Sequence, residues 1–234
     1  MAVILSAKDL RKEFKVGNNI IKAIDSMSFK INEGELVIIL GPSGAGKTTL
    51  LNMLGGMDTL SSGSLILENN DLSKYNQKEL TKYRRNDVGF VFQFYNLMPN
   101  LTALENIELA TELKPDSMEP IEALKLVGLE KRANNFPAQL SGGEQQRVSI
   151  ARAIAKNPKI ILCDEPTGAL DYQTGKNILG ILKDASKIQN KTVIIVTHNQ
   201  ALKDMADKVI RVKNGKVLDI TINENPMDIK DIEW

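Results

Sequence analysis

Leu36-Val37-Ile38-Ile39-Leu40 runs without a break into Gly41-Pro42-Ser43-Gly44-Ala45-Gly46-Lys47-Thr48. An unbroken, β-branched-rich apolar run suits a strand buried on both faces, as in a parallel sheet. The octapeptide after it has the G-x-x-x-x-G-K-[ST] spacing of a phosphate-holding turn. Glycines let successive backbone N–H groups converge on anion oxygens. A helix over Thr49–Met57 would then leave the turn with its positive end facing the anion. In that geometry Lys47 reaches the β- and γ-phosphates of a nucleoside triphosphate and the Thr48 hydroxyl meets Mg²⁺. The competing reading is a chance glycine-rich turn. The lysine, the threonine and the buried strand together weigh against it.

Two more runs, Ile160–Cys163 and Thr192–Val196, have the same continuous apolar character. Phe29–Ile31, Ser64–Glu68 and Val209–Val212 read as more alternating or edge-like strands, with turns at Gly34 and Asn214-Gly215. Between Gln93 and Asn157 the strand signals vanish. Thr102-x-x-Glu105 and Ser141-x-x-Glu144 each open a helix with a capping box, and Ile121–Val127 is a helix stopped by Gly128. The pattern predicts an α/β fold. One domain, 1–222, comprises a sheet lobe (1–93 and 158–222) and a helical insert (94–157). A polar tail, 223–234, is expected to dock loosely.

A chain of 234 residues with 42% hydrophobic residues can bury a sizeable core. Its net charge of +1 argues against a strongly basic nucleic-acid binder. No stretch approaches the roughly 18 consecutive apolar residues of a membrane span. The segment Met1–Ser6 lacks the basic region and long apolar run of a signal peptide. Cys163 is the single cysteine, so no internal disulfide can form, which suits a reducing cytoplasm. Its place inside an apolar run predicts core packing rather than a reactive thiol.

Two further motifs specify the chemistry. Ile160-Ile161-Leu162-Cys163-Asp164-Glu165 is a buried strand ending in two carboxylates, followed by Pro166-Thr167-Gly168-Ala169-Leu170-Asp171. Leu140-Ser141-Gly142-Gly143-Glu144-Gln145-Gln146-Arg147 supplies a second glycine turn at a helix start, with no lysine. Taken together, these segments resemble the nucleotide-binding subunits of ATP-binding-cassette transporters, and the likeness runs from about Leu5 to Ile220.

The resemblance implies a phosphate-loop NTPase sheet core with an antiparallel β subdomain and an inserted α-helical subdomain. It implies ATP and Mg²⁺ as ligands and hydrolysis to ADP and phosphate. ATP would contact Phe14 and the Gly41–Thr49 turn: Gly41, Pro42, Ser43, Gly44, Ala45, Gly46, Lys47, Thr48 and Thr49. Mg²⁺ would be held by Thr48, Gln93 and Asp164. Glu165 would be the catalytic base, with His198 sensing the γ-phosphate and Gln93 linking metal and water to a membrane partner. Ser141, Gly142, Gly143 and Glu144 would act in trans in a head-to-tail homodimer, with Asp171 at the dimer contact. Glu144 stands where the family most often has Gln, and Phe14 where Tyr is more usual. For Phe14 a packed surface aromatic remains the other reading.

Val91–Leu97, Leu101–Asn106, Gly56-Met57-Asp58 and Asp164–Asp171 look like the macrolide-exporter and lipoprotein-release class. The antimicrobial-peptide resistance ATPases are close relatives. That likeness implies a separate transmembrane permease with a cytoplasmic coupling helix and a place on the cytoplasmic face of the membrane. An alternative within the family is a mechanotransmitting ATPase of a cell-division or cell-wall regulatory complex. Phe92, Phe94, Tyr95, Leu97 and Met98 crowd around Gln93. Two readings of them stand equal: a docking patch for the coupling helix, or packing at the lobe interface.

Overall fold

The computed structural model describes residues 2–112 and 114–233. Met1, Leu113 and Trp234, which fall in the expected sheet lobe, helical insert and tail, lie outside the described residues. The elements in chain order are β1 (Val3–Val16), β2 (Asn19–Asn32), β3 (Leu36–Leu40), α1 (Lys47–Leu54), β4 (Ser62–Leu67) and β5 (Asn70–Asp71). Next come α2 (Gln77–Asn86), β6 (Val88–Val91), α3 (Ala103–Thr111), α4 (Pro120–Leu126) and α5 (Gly142–Ala155). The chain closes with β7 (Ile160–Asp164), α6 (Tyr172–Lys187), β8 (Thr192–Thr197), β9 (Lys208–Lys213) and β10 (Lys216–Ile222). Two compact units form, Met1–Arg84 with Ile194–Trp234, and Arg85–Val193.

In the first unit, β1 and β2 form a long antiparallel hairpin that continues through β4 and β5 in the order β2-β1-β4-β5. The sequence pattern predicted only the last residues of β2 and nothing of β1. The reason lies in the pairing: the register slips at four places along β1, and Asp9 (φ 49) and Ser26 (φ 61) adopt left-handed backbone. Each slip flips the inward-facing set, so the alternation that would betray a strand is erased.

The same unit holds β10-β9-β3 with β8 beside β3. Here β3 runs parallel to β9, Val37 opposite Lys208 through Leu40 opposite Arg211. All five residues of β3 are buried, as its composition requires. The start of β3 is fixed by Asp207, which accepts the Leu36 N–H at 2.7 Å, and by a buried ion pair of Lys208 with Glu35 at 2.7 Å. The turn between β9 and β10 has Asn214 at φ 50 and Gly215 at φ 73, the left-handed pair that a two-residue hairpin demands. It does more than reverse the chain. Gly215 N–H donates to Ala45 O at 3.1 Å, and Gly215 O accepts from Asp25 N–H at 2.7 Å.

The tail is tied down, contrary to expectation. Asn223 and Met227 donate backbone bonds of 2.8 Å to Asp207 and Asp204, and Ile232 is buried. One buried apolar residue and backbone bonds to residues 16 and 23 positions away anchor it, and those partners are supplied by earlier chain.

The second unit pairs β6 with β7 in parallel, Val88 opposite Ile160 through Val91 opposite Cys163. Its centre is α5, whose Val148, Ile150, Ala151, Ile154 and Ala155 are buried and which packs against α3, α4, α6 and β6. Both capping boxes form as the sequence predicts. Thr102 and Glu105 close the start of α3, and Ser141 and Glu144 the start of α5. Helix α4 ends before Gly128, which has φ 69.

Candidate functional site

The phosphate-type turn is shaped by close approaches that only glycine permits. A methyl group at Gly46, where φ is 97, would stand 2.5 Å from the Ala23 carbonyl of β2. One at Gly41 would overlap the Val212 carbonyl of β9. At Gly44 (φ 76), by contrast, an added Cβ meets nothing within 4 Å, so the turn's outer side is open. Helix α1 begins at Lys47, two residues earlier than the pattern predicted, with Gly46 as its N-cap. That cap has no side chain to offer, and the first turn contains no acidic residue. The first N–H groups of α1 therefore keep their donors and the helix keeps its positive end. Lys47 is 8% exposed, and its amine lies over the same turn, donating to Gly41 O at 2.8 Å and Pro42 O at 3.1 Å. Thr48 is exposed at the mouth and Thr49 half-buried behind it. An anion of phosphate size and charge fits this cradle on donor geometry and on sign.

His198 stands in the same unit, exposed, immediately after the fully buried β8. The preceding Thr197 carbonyl accepts the Gly41 N–H at 3.3 Å, which fixes the histidine beside the first residue of the turn. Asn199 caps the short 3₁₀ turn that follows by accepting from Ala201 N–H at 3.0 Å. Phe14, on β1, is 40% exposed. Its ring carries the Lys12 ammonium at 5.0 Å from the centroid, and that ammonium is anchored by Asp58 at 2.5 Å and the Thr59 carbonyl at 2.9 Å. The ring is thus fixed by one cation–π contact and remains accessible.

The second unit gathers Gln93, the two carboxylates, the Ser-Gly-Gly turn and Asp171. Asp164 ends β7 half-buried, and Glu165 follows in left-handed backbone at φ 45. A residue without glycine's freedom holds that conformation only where its surroundings impose it. The Glu165 carbonyl accepts from Gly168 N–H at 3.0 Å, closing the turn. A methyl at Gly168 would lie 3.5 Å from Glu165 Cβ and 3.6 Å from Gln93 Nε2, so glutamine and carboxylate flank the same glycine. Cys163 is wholly buried, and desolvation with the Asp164 charge pushes its thiol far up, which is the behaviour of an inert core residue. Within this unit Gln93 and Asp164 offer oxygen donors of the hard type that suits Mg²⁺.

At the start of α5, Glu144 Oε2 accepts from Ser141 N–H at 2.8 Å and from Ser141 Oγ at 2.9 Å. Those bonds, the Ser141 backbone bond foremost, hold its carboxyl below the usual glutamate range. Arg132 Nε adds a 3.2 Å ion pair. A methyl at Gly143 would press on Thr174 Cγ2 at 2.5 Å, so α5 and α6 start in contact. Asp171 caps α6, accepting Thr174 N–H at 3.1 Å, and the Thr174 bonds hold its carboxyl low.

Two sets of contacts that bear on the site could not be read from the sequence. Gln146, 1% exposed, donates Nε2 to the Pro166 carbonyl at 3.1 Å, one residue past Glu165. Arg152 and Tyr95 meet in the loop after Gln93. Of the five crowded apolar residues, Phe92 stacks on Phe90 with centroids 5.4 Å apart and Tyr95 turns toward Gly142. Phe94 is 77% exposed and Met98 52%. Phe92, Tyr95 and Leu97 are half-buried and form the less exposed part of the cluster.

Residues 24–168 match the family model described as ABC transporter. The chain belongs to the ABC transporter family. It is 45% identical over 223 residues to an uncharacterized ABC transporter ATP-binding protein, MJ0796 of Methanocaldococcus jannaschii, covering 92% of this chain and 95% of that one. It is 44% identical over 237 residues to the putative ABC transporter ATP-binding protein MG065 of Mycoplasma genitalium. There it spans 99% of this chain but only 50% of the relative. Its fold superposes with a TM-score of 0.87, at 42% identity, on a dimeric structure of the ATP-binding cassette MJ0796 in a post-hydrolysis state bound to ADP and Pi. That alignment covers 94% of this chain and 99% of the other. The α/β fold is thus that of the family's ATP-binding cassettes. Among the described residues no helix is long and apolar enough to cross a membrane.

Proposed function

We propose that this chain binds ATP and hydrolyses it to ADP and phosphate as one half of a head-to-tail dimer. The observation that carries the reading is the uncapped start of α1, with Gly46 as cap and Lys47 folded over the turn. A helix start left bare of side-chain caps and overlaid by a buried cation is arranged for a polyphosphate. On binding, Lys47 exchanges the Gly41 and Pro42 carbonyls for phosphate oxygens. Mg²⁺, held by Thr48, Asp164 and Gln93, would neutralise charge on the phosphates. Glu165 takes the proton of the attacking water, and His198 meets the γ-phosphate. Ser141, Gly142, Gly143 and Glu144 close over the partner's nucleotide. Phe14 offers its ring to the adenine. The similarity to MJ0796, recorded as a dimer with ADP and Pi, supports both the chemistry and the dimer.

Glu165→Gln keeps shape and loses the base. Hydrolysis should fall by about a thousandfold while binding survives, in the range of losses when a positioned catalytic group is removed. With its ATP trapped, this variant should elute from a sizing column as a dimer in ATP and as a monomer in ADP. A Glu165→Gln protein that stays monomeric at saturating ATP rules out the sandwich.

The reading extends to an exporter, lipoprotein-release or peptide-resistance type of system, on the likeness of Val91–Leu97 and Asp164–Asp171 to that class. The chain works at the cytoplasmic face through a transmembrane permease, whose cytoplasmic helix meets Phe94 and Met98. Exposed apolar residues beside a catalytic glutamine support this placement. Phe94→Asp with Met98→Asp should weaken capture of the membrane subunit by at least about tenfold, as for loss of interface anchors, with ATP affinity intact. Undiminished co-purification places the docking surface elsewhere.

A further inference from the structure

The loop after Gln93 holds two consecutive residues in left-handed backbone, Tyr95 at φ 57 and Asn96 at φ 50, neither of them glycine. Each such residue costs of order 1 kcal/mol and persists only when something overrides the preference. Besides the turn's own backbone bonds, Tyr95 N–H to Phe92 O at 3.3 Å and Asn96 N–H to Phe94 O at 2.5 Å, one side chain spans the pair. Arg152 of α5 reaches the two carbonyls of the strained pair, Nη1 to Asn96 O at 2.5 Å and Nη2 to Tyr95 O at 2.9 Å. Arg152 is half-buried, and that burial lowers the pKa of its guanidinium, so a donor left unbonded there would carry a cost. The fork geometry matters: two divergent N–H groups on one rigid plane satisfy two adjacent carbonyls, which an ammonium cannot do with the same fixity.

The side chain of the same Tyr95 reaches the other end of the same helix. A methyl at Gly142, the first residue of α5, would stand 2.8 Å from the Tyr95 hydroxyl. Gly142 and Arg152 are separated by about 15 Å along a helix rising 1.5 Å per residue. Helical side chains slant toward the N-terminus, so Arg152 leans back along α5, and the Tyr95 ring continues the same way to Gly142. Backbone and ring of one residue thereby bridge the length between the arginine and the Ser-Gly-Gly turn.

We propose that Arg152 is a positioning residue that locks the loop after Gln93 and, through the Tyr95 ring seated on Gly142, sets the Ser141-Gly142-Gly143 turn in its closing geometry. The loop and the turn then move as one body with α5. This deepens the ATP-sandwich reading and rests on it: a nucleotide-facing turn in one chain is held in register by the loop that carries that chain's own Gln93.

The test uses the full chain carrying Glu165→Gln, with ATP-driven dimerisation as the readout of the turn. Hydrogen–deuterium exchange of the 93–98 amides is the readout of the loop. Arg152→Lys keeps the charge and removes the fork. It should raise exchange in that loop by about tenfold, as in local opening, with β6 and β7 unchanged. It should also raise the ATP needed for half-dimerisation by about tenfold, while nucleotide affinity of the monomer stays as it was. Tyr95→Ala, in a half-exposed side chain, should reproduce the dimerisation defect, and Tyr95→Phe should largely preserve the parent behaviour because the ring remains. If Arg152→Lys does not fold, the Tyr95 pair decides alone. Parent-like dimerisation and exchange in Arg152→Lys, or in Tyr95→Ala, overturn the inference. A parent protein that fails to dimerise at all overturns instead the reading beneath it.

Discussion

Helices α1 and α5 both begin at glycine-bearing turns, and they present opposite faces to an anion. The start of α1 is bare: its cap is Gly46, no side chain accepts from its first amides, and a lysine amine lies over it. The start of α5 is already occupied by its own chain, with Ser141 accepting from Glu144 N–H and the Glu144 carboxylate bonded back to Ser141. Each helix has the same partial positive end. In α1 that charge is reserved for a ligand, and in α5 most of it is spent on a side-chain carboxylate. The difference teaches that a helix start can take an anion by itself only when its own sequence leaves it unsatisfied. It is also in keeping with the proposal that the second turn closes over a partner's nucleotide rather than capturing one alone.

The sharpest way to break this contrast is to remove the charge from one turn and the shape from the other. Lys47→Ala takes away charge-assisted hydrogen bonds worth about 3 kcal/mol. ATP affinity of the monomer should fall by about a hundredfold as measured by titration calorimetry. Ser141→Arg fills the second turn, yet monomer affinity should stay within about twofold if, as proposed, the turn serves the partner's nucleotide and not that chain's own. Its dimerisation should be lost. Equal losses of monomer affinity in the two variants would erase the distinction between a bare and a self-satisfied helix start.

A smaller effect separates the same two turns by acidity. Hydrogen bonding to Ser141 depresses the Glu144 carboxyl in the folded chain. Its stabilising contribution is fully present above the unfolded glutamate value of about 4.3 and is lost as pH falls through the lower folded value. The first turn of α1 has no acidic residue to titrate. After correction for intrinsic rates, amides in the first turn of α5 should lose protection as pH falls below about 4, while those of α1 lose none in the same local process. Parallel acid profiles would show that the carboxylate does not hold the α5 cap.

Much of this organisation was legible from local pattern. The continuous apolar runs at Leu36–Leu40, Ile160–Cys163 and Thr192–Val196 became buried strands, and the boxes at Thr102 and Ser141 formed. These features depend on residues within a few positions of one another, so the chain carries their full specification. The β1–β2 hairpin was illegible because its slips in register scramble inside and outside, and what then decides the strand is the partner it pairs with.

What the sequence by itself determined is the chemistry: a glycine turn with Lys47, paired carboxylates at Asp164 and Glu165, a Ser-Gly-Gly helix start, and a lone histidine after a buried run. What only the tertiary structure decided is how those groups are held. Whether Tyr95 faces solvent or Gly142, whether Gln146 reaches the Pro166 carbonyl, and whether Arg152 finds two carbonyls at Tyr95 and Asn96 all turn on residues more than a dozen positions apart. A hydrogen bond of that kind exists only after the backbone has brought donor and acceptor together, and no periodicity along the chain records it.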